Sequence, residues 1–361
     1  MGIPLQEVIE ATTFYNAIGA WKDAVDFLDF AMENGTPYSS TPMQKNAVEP
    51  FTASPLLNYM AGWYSSQAGD DAKAMDYYRK AAEMSPDYCF PSRVEELDML
   101  RDVVKKNSSD WKAYYYLGNL LYYYDRKDEA ISAWQSSAEL NSSYGMVFRN
   151  LGHSADKYLK DKALAAGYYA MAIKADNSNP IFFQELEDVE AALKVPSDKR
   201  LARMEKYRKT IEKSDDATSH YVNLLIDNGK YRKALYILEN RHFRVWEGGS
   251  TVYTQFVDAN LLYGLSQLSR HRNGKALESF LAAGTFPRTF RMPRGLCPSA
   301  REPCRRVPGD RRLWLSPEAT SPEPTGSSWN HLKSTLPASG QSTSMAPLNN
   351  TTYHINTKKP T

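Results

Sequence analysis

Cysteine is scarce, with only Cys89, Cys297 and Cys304 in 361 residues. So small a set builds no disulfide framework. The spacing of Cys297 and Cys304 is not that of a metal knuckle, and no second pair stands beside it. No run of about 18 apolar residues occurs, so no helix is expected to span a membrane. The N-terminal stretch MGIPLQEVIEATTFY lacks the basic and apolar regions of a secretory signal. Gln6 stands where a myristoylation pattern beginning at Gly2 wants Ser or Thr. These absences lead us to expect a soluble, cytoplasmic chain.

Catalytic signatures are missing as well. The sequence holds no G-x4-G-K-[ST], G-x-G-x-x-G, G-x-S-x-G or H-E-x-x-H motif. Its histidines (153, 220, 242, 271, 331 and 354) are dispersed. His242, near Glu239 and Glu247, can be drawn as an acid–base group, but at helix-end spacing a surface histidine is the stronger reading. Asp70-Asp71 and Asp215-Asp216 read as turn and helix-start residues, because carboxylates favour helix N-termini. We therefore expect no catalytic, cofactor-binding or metal-ligating residues and no enzyme.

Net charge is small, with 44 basic against 42 acidic residues. The balance conceals an asymmetry. From Thr285 to Thr361 there are 11 Lys/Arg against 4 Asp/Glu, which leaves a net of −5 on the first 284 residues. A mildly acidic body gives no electrostatic case for nucleic acid.

What the chain does have is repetition. An alanine, a large apolar residue four positions on and a small residue three further recur. The sets are Ala24-Leu28-Ala31, Ala74-Tyr78-Ala81, Ala130-Trp134-Ser137, Ala165-Tyr169-Ala172 and Ala276-Phe280-Ala283, with a weaker copy at Ala234. Upstream of most copies lies a pair ending in glycine: Ala61-Gly62, Leu117-Gly118, Leu151-Gly152 and Tyr263-Gly264. Turn residues sit between the halves, as in Gly69-Asp70, Asp125-Arg126 and Asn273-Gly274. Positions i, i+4 and i+7 share one helix face, so each set makes a stripe. Small residues there let a partner helix approach closely, and neighbouring pairs must stack to hide their remaining apolar faces.

This pattern resembles the tetratricopeptide repeat, W-x2-L-G-x2-Y followed by A-x3-F-x2-A and a proline. The copy from Asp110 to Ser143 matches it most fully, with Ser142 in place of the closing proline. The resemblance implies an all-α, right-handed superhelical solenoid of antiparallel helix pairs. We expect five or six pairs over residues 1–285. The uneven register requires additional helices. Residues 92–107 read as one, opened by a capping box of Ser92 and Glu95, and Asp198–Lys213 as a degenerate second helix with Leu201, Met204, Tyr207 and Ile211 on one face.

Three stretches carry a narrower likeness: PDYCFPSRVEELDML at 86–100, DWKAYYYLGNLLYYYDRKDEAISAWQ at 110–135 and RHFRVWEGGS at 241–250. They resemble the C-terminal repeat region of bacterial proteins that carry a mutarotase-like β-sandwich domain of unknown function. The likeness covers roughly residues 50 to 287. Such proteins are thought to bind or act on carbohydrates through the sandwich, which this sequence lacks, so no sugar activity carries over.

From 286 to 361 the composition turns to Pro, Ser, Thr and Arg, with eleven of the 20 prolines in the last 77 residues and a single tyrosine, Tyr353. Such a segment buries too little apolar area to offset chain entropy. Three readings stand: a disordered, solvated tail, the product of a reading-frame change, or a functional basic arm around Arg301–Arg312. Residues 286–294 (FPRTFRMPR) can be encoded so that the neighbouring frame gives Pro-Glu-Asn-Leu, as the resembled family has after this repeat.

Function is expected at the groove lined by the first helix of each pair. Alignment with the repeat's leucine places Lys112, Tyr115, Asn119, Tyr122, Arg149 and His153 towards it, ready for a protein or peptide segment. Repeats of this type that bind chaperone tails use a lysine- and asparagine-based clamp. Asn119 and Asn150 fall at its asparagine places, but Tyr115 stands where its first lysine belongs. Of the clusters Tyr114–Tyr116 and Tyr122–Tyr124, at least one ring must be core. Trp246 and Glu247, with Gly248 and Gly249, form a loop that serves either as a buckle between repeats or as a docking point for the sandwich domain or another partner. The sequence thus reads as a non-catalytic interaction scaffold. The alternative is a detached module that positions a β-sandwich carbohydrate-active domain. Neither nucleic acid nor membrane is an expected partner.

Overall fold

The computed structural model describes residues 2–3, 5–34, 36–37, 54–87, 89–244 and 251–285, all within the unit Met1–Cys297. The expected tail from residue 286 and the Trp246-Glu247 loop lie outside the described residues. The architecture is an all-α solenoid of antiparallel helix pairs. Apart from the helices, the described residues hold one short parallel pairing of β1 (Gly2–Ile3) with β2 (Thr36–Pro37).

Among the described residues seven helix pairs follow one another, not five or six. They are α1 (Leu5–Ala17) with α2 (Trp21–Asn34), α3 (Pro55–Gln67) with α4 (Asp71–Glu83), α6 (Trp111–Tyr123) with α7 (Lys127–Leu140), and α8 (Gly145–Lys157) with α9 (Lys162–Ala175). Then come α10 (Pro180–Ala192) with α11 (Ser197–Lys206) and α12 (Arg208–Ile211), α13 (Asp215–Asp227) with α14 (Tyr231–Asn240), and α15 (Thr251–Leu268) with α16 (Asn273–Ala283). The additional helix is α5 (Glu95–Lys106), inserted between the second and third pairs and packed on α3 and α6. Contacts run chiefly between neighbours along the chain, which is the mark of a solenoid.

Side chains set where many helices begin. Ser54, Asp70, Asp110, Asp161, Asn179 and Ser214 each accept a hydrogen bond from a first-turn amide. The box expected at Ser92 and Glu95 does not form. Helix α5 begins only at Glu95, so the reach back is made by Glu96, whose Oε2 accepts from the amides of Ser92 at 2.6 Å and Arg93 at 2.9 Å. Each turn within a pair passes through one residue at positive φ: Gly19, Gly69, Asp125, Lys160, Lys194, Gly229 and His271. Asn273 and Gly274, read as turn residues, instead open α16.

Within four pairs the first helix presents a glycine to an aromatic ring of the second. A Cβ on Gly62 would fall inside the Tyr78 ring, on Gly118 inside Trp134, on Gly152 against Tyr169 and on Gly264 inside Phe280. The alanine stripes turn inward as expected, with Ala24, Ala74, Ala130, Ala165, Ala234 and Ala276 all buried. The degenerate second helix breaks at Tyr207, whose ring packs on Phe183 at 5.0 Å, while Leu201, Met204 and Ile211 stay buried on either side of the break.

This interlock can be measured as a double-mutant cycle. Gly118→Ala should cost about 1–3 kcal/mol by overpacking and Trp134→Ala about 3–5 kcal/mol by cavity formation. The double variant should lose clearly less than the sum, because no ring remains for the new methyl to strike. Urea denaturation of the four proteins reads this directly, and strict additivity would show that the two residues do not touch.

Candidate interaction groove

The first helices of successive pairs are joined side to side by polar cross-links. Asn150 Nδ2 on α8 donates to Asn119 Oδ1 on α6 at 2.8 Å, and Trp134 Nε1 donates to the same oxygen at 3.0 Å. Arg149 on α8 forms a forked pair with Glu185 on α10, its Nε 3.0 Å from both carboxylate oxygens. His220 on α13 lies 3.7 Å from Asp188 on α10. Gln255 on α15 donates to Ser219 and Asn223 on α13, both at 2.8 Å. The α6 end is tied to α3 by Tyr59, whose hydroxyl donates to Asp110 at 2.7 Å. A polar ladder thus runs along the face that the first helices share, from α3 to α15.

This placement sorts the residues expected at the groove. Lys112 and Tyr115 are each only 8% exposed and do not offer themselves to a ligand. Lys112 Nζ donates to the carbonyls of Ala82 and Met84 at the end of α4, and burial holds its ammonium below the usual range. Tyr115 is closed over by Tyr144, ring to ring at 5.2 Å. The end of α4 and the start of α8 thus cover this end of α6, which the repeat register alone does not reveal. Asn119 is present at the groove but spent on Trp134 and Asn150. Arg149 is spent on Glu185, and that pairing raises its already high pKa.

Two of the expected groove residues keep open surface. Tyr122 and His153 are half-buried and stand ring against ring at 6.1 Å, with Tyr122 backed by Trp134 at 5.3 Å. Burial lowers the His153 pKa, and the nearby Arg149 guanidinium adds to the effect, which favours the neutral ring. An uncharged imidazole beside a phenol makes an aromatic platform with hydrogen-bonding edges. Beside it the tyrosine clusters divide: Tyr116 is core, whereas Tyr123 is 74% exposed. Tyr124 Oη donates to the Ser92 carbonyl at 3.0 Å, between the exposed Phe90 and Val94.

Sequence reasoning missed Glu185, Asp188, Ser219, Asn223 and Gln255. Their signal was the recurrence of polar residues on successive first helices, hidden because α10 and α13 lack the glycine that marks the register elsewhere.

Glycine–aromatic interlock, positive-φ turns and a ladder of first helices together make an all-α solenoid of antiparallel helix pairs. No family model matches the sequence. Among solved structures, YrrB, described as a TPR protein with an unusual peptide-binding site, is 20% identical over 51% of this chain and 90% of its own, at a TM-score of 0.38. The C-terminal part of a TPR repeat-containing protein from Cytophaga hutchinsonii is 12% identical over 78% and 97%, also at 0.38. PilF from Pseudomonas aeruginosa is 14% identical over 77% and 96%, at 0.33.

Because the folded His153 pKa lies below the unfolded one, the unfolded chain binds the proton more readily. Stability tied to this group is complete above about pH 6.5 and is lost as pH falls towards the folded pKa. Histidine resonances followed by NMR should show His153 titrating below the ordinary value. Arg149→Gln, which removes a cation and frees the Glu185 carboxylate, should move that midpoint upward. An unshifted midpoint in the parent protein would place the ring in open water.

Proposed function

We propose that this chain is a non-catalytic scaffold that holds an extended protein segment in the groove of its first helices. The observation that carries the reading is the Tyr122–His153 platform, open in a face whose other polar groups are paired with one another. A segment laid along such a face sets an apolar side chain on the two rings, and its main chain meets the edges of His153 and Asn150. Selection of linear peptides on the full chain should yield ligands whose affinity falls about tenfold or more with Tyr122→Ala or His153→Ala, in line with loss of a buried aromatic anchor. Binding untouched by both variants would place the ligand elsewhere.

A second reading is favoured by an apolar face on the last described pair. Leu261, Leu262, Leu265 and Leu268 on α15, with Leu277 and Leu281 on α16, are exposed. Phe280 is half-exposed, while its counterparts Tyr78, Trp134 and Tyr169 are buried. A face of this kind suits a module seated against a further domain, such as the mutarotase-like sandwich. Mixed with a purified domain of that type, the full chain should co-elute on gel filtration, and Leu265→Glu with Leu281→Glu should separate the two. Independent migration of the unmodified proteins would dismiss the module.

A further inference from the structure

The first and last described pairs leave bare the surfaces that interior pairs cover. Counted from its glycine, Gly264, helix α15 carries Leu261, Leu265 and Leu268 at the places that Tyr115, Asn119 and Tyr122 take from Gly118 in α6. All three α6 residues touch α8 or its cap. Tyr115 meets the Tyr144 ring, Asn119 accepts from Asn150, and Tyr122 stands against His153. These are the places by which one pair holds its successor. On α15 they are three exposed leucines, and among the described residues no successor covers them.

The opposite end shows the matching gap. Thr12 stands in α1 where later first helices have glycine, so Phe14, two places on, corresponds to Tyr64 in α3, Leu120 in α6 and Ser154 in α8. None of those three is more than 1% exposed. Tyr64 shows where the place points, because its hydroxyl donates to the Thr12 carbonyl of the preceding pair at 3.4 Å. Phe14, with no preceding pair, is 65% exposed. Charge divides the two ends as well. Residues 5–34 hold six carboxylates against one lysine, whereas residues 251–283 hold three Lys/Arg against two carboxylates. A solenoid that ends in apolar side chains rather than a polar cap calls for a cover at that end.

We propose that the cover is a second copy of this chain: the α15–α16 end of one copy receives α1 of the next, with Leu261, Leu265 and Leu268 on one side and Phe14 on the other. The contact repeats between chains the junction that each pair makes with its successor inside the array. What favours a copy over another occupant is that one chain carries both halves of the contact. Each half keeps the register of an interior junction, and the two ends carry opposite excess charge, which favours their meeting over like ends. Such a contact is head to tail. It joins two different surfaces, leaves one of each free at the ends of the assembly, and so does not stop at two chains. The further domain considered above would compete for the α15 leucines but would leave Phe14 bare.

Sedimentation velocity of the full chain over a range of concentrations should show the mass rising past that of a dimer. Phe14→Glu spoils only the leading end, and Leu261→Glu with Leu265→Glu spoils only the trailing one. Each variant should associate at least tenfold more weakly than the parent while keeping its circular dichroism melt. Mixed in equal amounts, the two variants should recover a complex of two chains and no more, because a single sound interface can form between them. Dimers formed by Phe14→Glu alone would mean that two copies meet through the same face, and would overturn the proposal. So would a parent protein that stays monomeric at every concentration, which leaves the α15 leucines to a further domain or to the chain's own residues.

Discussion

Four of the seven described helix pairs depend on a ring sitting where a β-carbon would otherwise be. In four pairs the second helix drives Tyr78, Trp134, Tyr169 or Phe280 against a glycine of the first, and the backbones close on one another only because that glycine has no side chain. A helix pair brought this close is thin, with its small residues used up inside it. The larger apolar residues are left for the next pair, and stacking becomes the way to bury them. From this single contact follow the linear order of contacts, the common face of first helices and the position of every groove residue on it.

The parts of the fold that were legible in the sequence were those whose chemistry repeats. Alanine stripes and glycine–aromatic partners can be read directly because few residue types fit so narrow a space. The turn positions were harder. Between Asp125 and Gly229 the left-handed turn residues are spaced 35, 34 and 35 apart, a regular stretch of the array. Two of them are Lys160 and Lys194, where glycine would announce the turn and lysine does not. The pair built on α10 was therefore blurred, and the broken helix at Tyr207 blurred it further. Likewise α1 and α13 hold Thr12 and Val222 at the places where other first helices hold glycine, so their pairs carry the alanine signal alone.

For the groove, register identified the right face but not who is free to act on it. Lys112 and Tyr115 point where the repeat places them, yet one caps the carbonyl end of α4 and the other lies under Tyr144. Both outcomes come from the pairs on either side, the carbonyl end of α4 and the start of α8, which the register of one repeat does not reveal. Asn119 and Arg149 illustrate a second limit. Each has the chemistry of a ligand-binding residue, but the neighbouring first helix provides Asn150 and Glu185 as permanent partners. A polar residue on a repeat face has two destinies, ligand or neighbour, and only the distance to the next helix decides between them.

That division holds at the start of α14 too. Cross-links between helices use up polar groups wherever the spacing allows, and Glu205 does so for Lys230 and Lys233. Arg232 at the start of α14 and Arg270 just past the end of α15 are exposed and have no ion-pair partner among the described residues. The first 284 residues carry a net of −5, so the field of the body disfavours anions at long range. A segment that lies in such a groove is therefore selected by contact and fit rather than drawn in by a long-range field.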